Sequence, residues 1–254
     1  MKALARALWA EKLKLRGTLA LWMCLVAPAV VVAVYVLQIG FGKFPPGRVA
    51  PPPAEVWSVF MQSTLVLWAF LMLPLLVTLQ AALLAGLEHQ GQHWKHLLAL
   101  APPRHVHYLA KLLALLAMLA LSQMAMFALL PLGGWALMAL KPGFGLAGAP
   151  PMAALATKLA AIFGACVLLA ALHTWIAIRW RSFAVAVGVG MAATVMGFLI
   201  GQSARFGPWY PWSLPMQTLA SDPDMPARVV AWSLAGAAVA TVAGLAWFRR
   251  SEPA

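Results

Sequence analysis

Apolar residues in this chain neither alternate with polar ones nor keep to one helical face; they run on continuously, separated by short polar stretches. Six runs reach or approach the roughly 20 residues that a helix needs to cross a bilayer. They are Thr18 to Ile39, Val56 to Gly86, Tyr108 to Leu140, Met152 to Ile178, Phe183 to Gly201 and Val229 to Phe248. Transmembrane strands would alternate polar and apolar positions, which these runs do not, and the pattern disfavours a β-barrel. The pattern predicts an all-α polytopic membrane protein, a single six-helix domain spanning residues 1–254. Several runs exceed a minimal span, so tilts or kinks are expected, with Pro74 and Pro131 as the places for them.

Composition agrees with that reading. Of the 254 residues, 63% are hydrophobic and 9% charged, and the mean hydropathy is +0.86, values outside the range of soluble globules. Cys24 and Cys166 both lie inside apolar runs and read as small buried hydrophobes, not as a disulfide or metal framework.

The net charge of +12 raises nucleic acid as a partner, but the basic residues are scattered between apolar runs instead of forming one stripe. Orientation in a bilayer accounts for them better. With the N-terminus inside, that face receives Lys2, Arg6, Lys12, Lys14, Arg16, Lys95, Arg104, Lys111, Arg179, Arg181, Arg249 and Arg250. The other keeps Lys43, Arg48, Lys141, Lys158, Arg205 and Arg228. The excess puts both termini on the cytoplasmic side. A cleavable signal is not expected, because the first apolar run follows a basic lead and lacks a small-residue cleavage site.

Four connecting or flanking stretches carry further information. Residues 1–16 place Leu4, Leu8 and Leu15 on one helical sector and Lys2 and Arg6 opposite, which predicts an interfacial helix. Glu11 and Lys12 blur that face, and a merely solvated basic flank is the alternative. The proline-rich stretch Lys43 to Pro53 predicts an irregular connection. Residues 202–228 hold Trp209, Tyr210 and Trp212 among Pro208, Pro211 and Pro215; they read as an extracytoplasmic rim or gate, or as an aromatic interface anchor. Gly197 with Gly201, and Gly236 with Ala240 and Gly244, supply small faces for close helix packing, within one subunit or across a dimer.

The longest polar interruption is Leu87-Glu88-His89-Gln90-Gly91-Gln92-His93-Trp94-Lys95-His96, continuing through Arg104 to Lys111. His89 and His93 have the i, i+4 spacing of two metal ligands, but Gln90 stands where a metalloprotease carries Glu, and Gly91 weakens the helix between them. A solvated polar loop is the plainer reading. His173, alone in the fourth run, reads as an interhelical hydrogen-bonding residue or, less simply, a proton relay. All six carboxylates, Glu11, Glu55, Glu88, Asp222, Asp224 and Glu252, lie near run ends or in loops, which leaves no paired-carboxylate centre within the membrane. No Gly-x-x-x-x-Gly-Lys-[Ser/Thr] run is present, so the chain itself has no phosphate cradle for ATP. A membrane-embedded enzyme would need an intramembrane polar constellation that the sequence does not offer.

Leu87-Glu88, Gly91, Trp94-Lys95, Leu97-Leu98, Leu100, the following prolines, Arg104, Tyr108 and Lys111 resemble a segment of type-2 ABC exporter permeases, closest to the lantibiotic-immunity and bacitracin-export permeases. Ala10-Glu11-Lys12-Leu13-Lys14 is similar to their N-terminal lead, and Pro211-Trp212-Ser213-Leu214 to a late proline-tryptophan segment; an extra proline ahead of Arg104 departs from the pattern. The resemblance implies a bacterial cytoplasmic-membrane permease with a cytoplasmic coupling helix within residues 87–107. Glu88, Gly91, Trp94, Lys95, Leu97, Leu98, Leu100 and Arg104 would form that coupling segment, Glu88 capping the helix start and the leucines meeting the partner. Lys95 and Arg104 would meet acidic groups of the partner or lipid phosphates, and an amphipathic loop resting on headgroups is the alternative. The implied partners are two copies of a separate P-loop ATPase, a second permease copy or paralogue, and the lipid bilayer. ATP and Mg would be bound by the ATPase, with no cofactor on this chain. An apolar or amphipathic cargo, such as a peptide antibiotic or lipid-like compound, is expected. The competing reading is a haem- or copper-handling export subunit that uses the histidines and the tryptophan rim.

Overall fold

The computed structural model describes residues 2–43, 51–90 and 103–250, and the regular structure among them is entirely helical. The helices are α1 (Lys2–Leu15), α2 (Leu19–Phe41), α3 (Pro53–Leu67), α4 (Leu73–Gln90), α5 (Arg104–Leu140), α6 (Met152–Ala165), α7 (Val167–Arg179), α8 (Phe183–Gly201), the single turn α9 (Leu214–Gln217) and α10 (Met225–Arg250). Six of the continuous stretches are long and apolar enough to cross a membrane: α2, α3 with α4, α5, α6 with α7, α8, and α10. These match the six apolar runs to within a few residues at each end.

The second and third spans each hold 37 residues. At ~1.5 Å per residue each is ~55 Å long, against a hydrocarbon core of ~30 Å. Their ends therefore project from the membrane. Residues 87–90 and 104–107, expected in a cytoplasmic connection, are helical continuations of these two spans.

Both proline expectations have a definite outcome. Ahead of Pro74 the ladder widens into a π-helical turn over Trp68–Met72, where the Leu73 amide donates to Trp68 O. Pro74 cannot donate to its own i−4 carbonyl, and the wider turn absorbs that gap. Pro131 leaves α5 continuous. The fourth span carries an interruption with no proline to announce it, at Cys166 between α6 and α7. Ser233 of α10 services that break: its hydroxyl donates to Ala165 O (3.0 Å) and accepts from Leu168 N (3.1 Å).

Helix α5 is central, packed along α2 and touching α1, α4, α6, α7 and α10. Two adjacent glycines make this approach possible. A Cβ on Gly133 would lie 2.4 Å from Val32 Cγ1, and one on Gly134 would lie 2.2 Å from the Trp57 ring. Trp57 is itself held by an Nε1–H bond to Ala147 O (3.1 Å). The small faces anticipated on the fifth and sixth spans are also filled from within the chain. Gly197 and Gly201 abut Trp212 and Ser213, Gly236 abuts Leu168, and Gly244 faces the Tyr108 hydroxyl.

At one end, Lys141 sends its ammonium to the terminal carbonyls of α2, at Ile39 (3.0 Å), Gly40 (3.1 Å) and Gly42. A cation there satisfies the free carbonyls and the helix dipole together. At the other end, Gly17 adopts φ +72° and turns α1 into α2, a left-handed position that favours glycine.

Candidate functional site

At the α1 end, four charged side chains meet. Lys111, from the second turn of α5, places Nζ 3.1 Å from Glu88 Oε1 and 3.3 and 3.4 Å from the two oxygens of Glu11, and donates to Leu84 O at 3.0 Å. Lys14 Nζ reaches Glu88 Oε1 at 2.7 Å and Glu11 Oε1 at 3.2 Å. The side chains of Lys111, Glu88 and Glu11 are only 4%, 3% and 8% exposed, while Lys14 is 33% exposed. Two cations balance two carboxylates, which is the condition under which buried charge is tolerated. Burial presses the Lys14 pKa down, but its hydrogen bond to Glu88 and the charges of Glu11 and Glu88 outweigh it, and the pKa stands above the usual 10.5.

This node ties three elements that bracket the polar patch. Glu88 stands in the last turn of α4, immediately before residues 91–102; Lys111 follows that segment on α5; and Glu11 and Lys14 fasten α1 to both. Helix α1 lies against α5 with Leu15 and Glu11 buried and Ala3, Leu4, Ala7, Leu8 and Lys14 half-buried. Glu11, which blurs the apolar face in the sequence, is part of the docked face because its charge is answered there.

Glu88 requires a correction. It does not cap a helix start; it lies near the C-terminal end of a helix, where the dipole is unfavourable to a carboxylate, and the two ammonium groups hold it there. Arg104 begins α5 directly after Pro103 and is half-buried. Gly91, Trp94, Lys95, Leu97, Leu98 and Leu100 lie outside the described residues. So does His93. Its suggested metal partner His89 donates through Nε2 to Ala177 O at 3.0 Å, which ties the end of α4 to α7. Among the described residues no group of three or more His, Cys, Asp or Glu is arranged to hold a metal ion.

The opposite end carries the aromatic segment. Its three expected rim residues separate by direction. Trp209 is 59% exposed and meets Trp232 of α10 edge-on at 5.0 Å. It divides two open grooves: one of about 650 Å³ bounded by Pro208, Met225, Val229 and Trp232, the other of about 560 Å³ bounded by Leu199, Ile200, Phe206 and Tyr210. Arg228, on the first groove, is paired with Asp222. Tyr210 donates its phenol to Ala193 O (3.0 Å), and burial pushes its pKa up. Trp212 turns inward and meets the His173 ring edge-on at 5.5 Å.

His173 in turn lies with Nε2 3.1 Å from the Thr78 hydroxyl, whose own proton goes to Pro74 O (2.8 Å). The hydroxyl therefore accepts from Nε2–H, the interhelical bond expected of this residue. Two intramembrane amides escaped the sequence reading. Gln123 accepts from Trp68 Nε1 at 2.9 Å, and Gln80 donates to Cys24 Sγ at 3.2 Å. Both were inconspicuous because an uncharged amide barely interrupts an apolar run, yet each is buried where water cannot satisfy it.

Comparison with family models matches residues 7–197 to that of the ABC-2 family transporter proteins. That stretch includes Glu11, Lys14, Glu88 and Lys111, and ends before the aromatic segment. Neither the curated proteins nor the solved structures gave a match.

Proposed function

The chain belongs to the ABC-2 family of transporter proteins, and from that premise we propose that it is the membrane subunit of an exporter powered by a separate P-loop ATPase. Two ATPase copies, which bind ATP and Mg, would serve two permease copies or a permease and its paralogue. The chain would lie in a bacterial cytoplasmic membrane with both termini inside. The single observation that carries this reading is the charge node. It gives residues 91–102, where the expected ATPase contact falls, a stiff mounting on both sides and links that mounting to α1.

A load applied to residues 91–102 reaches α4 through Glu88 and α5 through Lys111, and α1 moves with them. Coupling of this kind needs the ATPase to contact the two states of the permease differently. At the far end, the grooves beside Trp209 have apolar walls with one paired arginine, a surface suited to an apolar or amphipathic cargo such as a peptide antibiotic or a lipid-like compound.

The test is co-purification of the full chain with a co-expressed P-loop ATPase of its source genome. Trp94→Asp with Leu98→Asp is expected to abolish the association and leave the chain folded. Retention of the ATPase by that variant overturns the placement of the contact. Glu88→Gln with Lys111→Met, which keeps the node neutral, is expected to retain the ATPase and to lower export per ATP hydrolysed.

A further inference from the structure

A second feature of the α1 end is independent of the exporter reading. Between α1 and the flank of α5 runs a groove of about 380 Å³. Leu8 and Leu15 of α1 form one side, Ala117 and Leu121 of α5 the other, and Lys12 and Arg16 stand over it. Leu21, in the first turn of the first span, also borders the groove, which runs from the α1–α2 turn along α5 to Leu121.

The charge around it is one-sided. Glu11 is the one carboxylate of α1, and it is turned away into the node, where Lys14 and Lys111 neutralise it. Lys12 and Arg16 are exposed, and among the described residues neither has a carboxylate within ion-pair distance. Lys12 lies 5.0 Å over the ring of Trp9, itself 60% exposed, and a tryptophan beside a cation is a common arrangement at headgroup level. An apolar trough running down a membrane span beneath two cations with no carboxylate partner among the described residues fits an amphiphile with a hydrocarbon tail and an anionic head.

We infer that this groove binds an anionic phospholipid of the surrounding leaflet, its acyl chain against Leu8, Leu15, Ala117 and Leu121 and its phosphate at Lys12 and Arg16. The lipid would fix α1 against α5 alongside the charge node. Zwitterionic lipid would enter the same trough less well, because its head presents no net charge to the two cations.

Native mass spectrometry of the full chain, released without ATPase or nucleotide from mixed micelles holding equal phosphatidylglycerol and phosphatidylcholine with matched oleoyl chains, tests the inference. At low salt, phosphatidylglycerol is expected to be retained over phosphatidylcholine by roughly 10- to 30-fold, the scale set by two cations near a membrane surface. Lys12→Gln with Arg16→Gln should bring that ratio near one, and Ala117→Phe should displace both lipids. Arg249→Gln with Arg250→Gln, at the far terminus, should leave the ratio intact. An unchanged ratio in the first variant, an equal fall in the terminal control, or undiminished retention in Ala117→Phe overturns the site. A phosphatidylglycerol carrying a diazirine on its acyl chain gives a readout on the unaltered chain: adducts are expected within residues 8–21 and 113–121, and labelling confined elsewhere refutes it. No step depends on an ATPase, so failure here leaves the exporter proposal standing, and the reverse holds.

Discussion

Replacing Lys111 by Met removes one ammonium and keeps most of the side-chain volume. The node would then hold the carboxylates of Glu11 and Glu88 with only Lys14 between them, and Lys14 is the most exposed of the four groups. Lys111 makes its contacts at 3.0 to 3.4 Å, including one to Leu84 O that Lys14 does not share. Removing one member of a buried ion pair costs ~3–5 kcal/mol, because the remaining charge stays desolvated. Two considerations favour the lower end: Lys14 still touches both carboxylates, and an unfolded membrane chain finds other partners for its polar groups. A loss of ~3 kcal/mol corresponds to a fall of ~6–12 °C in melting temperature for a chain of this length. The tryptophan fluorescence of the purified protein in one fixed detergent reads that shift. The decisive comparison is with Lys111→Met/Glu88→Gln, which restores neutrality and keeps the Glu11–Lys14 pair; it should regain more than half of the loss. If the single variant melts with the wild type, or the double variant is no better than the single, the four charges do not act as a unit.

Lys14 and Gly134 give two further measurable outcomes. Lys14 has a pKa raised above 10.5 in the folded protein, so its contribution is complete below that pH and is lost as pH rises through the folded value. The stability difference between wild type and Lys14→Met should therefore stay level from about pH 7 to 10 and shrink above it; a difference that shrinks below pH 9 would refute the assignment. Gly134→Ala would drive a methyl into the buried Trp57 ring, costing ~1–3 kcal/mol, whereas Gly188 faces open space and Gly188→Ala should be neutral or stabilising by up to ~1 kcal/mol in the same melt.

The number and placement of spans were legible because a helix in hydrocarbon needs a long apolar run and little else. What escaped was decided by contacts between spans. The break at Cys166 depends on Ser233, 67 residues later, arriving to satisfy the exposed backbone. The close approach at Gly133 and Gly134 depends on Val32 and Trp57. Neither glycine belongs to a small-x-x-x-small pair, so spacing gave no warning. Trp212 reads as an interfacial aromatic until His173 is seen behind it.

The candidate site was legible as a place but not as a mechanism. Glu11, Glu88 and Lys111 all stood among the residues that carried the family resemblance, yet they are spread over three separate segments. A lysine inside an apolar helix and a carboxylate near a helix C-terminus are each costly alone; taken together, those costs already demanded a common partner. The structure shows that partnership, and it separates the polar patch into two kinds of residue. Glu88 and Lys111 are buried and answered within the chain, so their charge is unavailable to an ATPase and their conservative variants should affect coupling before association. Trp94, Leu97 and Leu98 lie outside the described residues; as the apolar part of the coupling segment that the resemblance implies, they are where substitutions are expected to act on association first. An ATPase lost from Glu88→Gln/Lys111→Met as completely as from Trp94→Asp/Leu98→Asp, with both variants folded, would collapse that division.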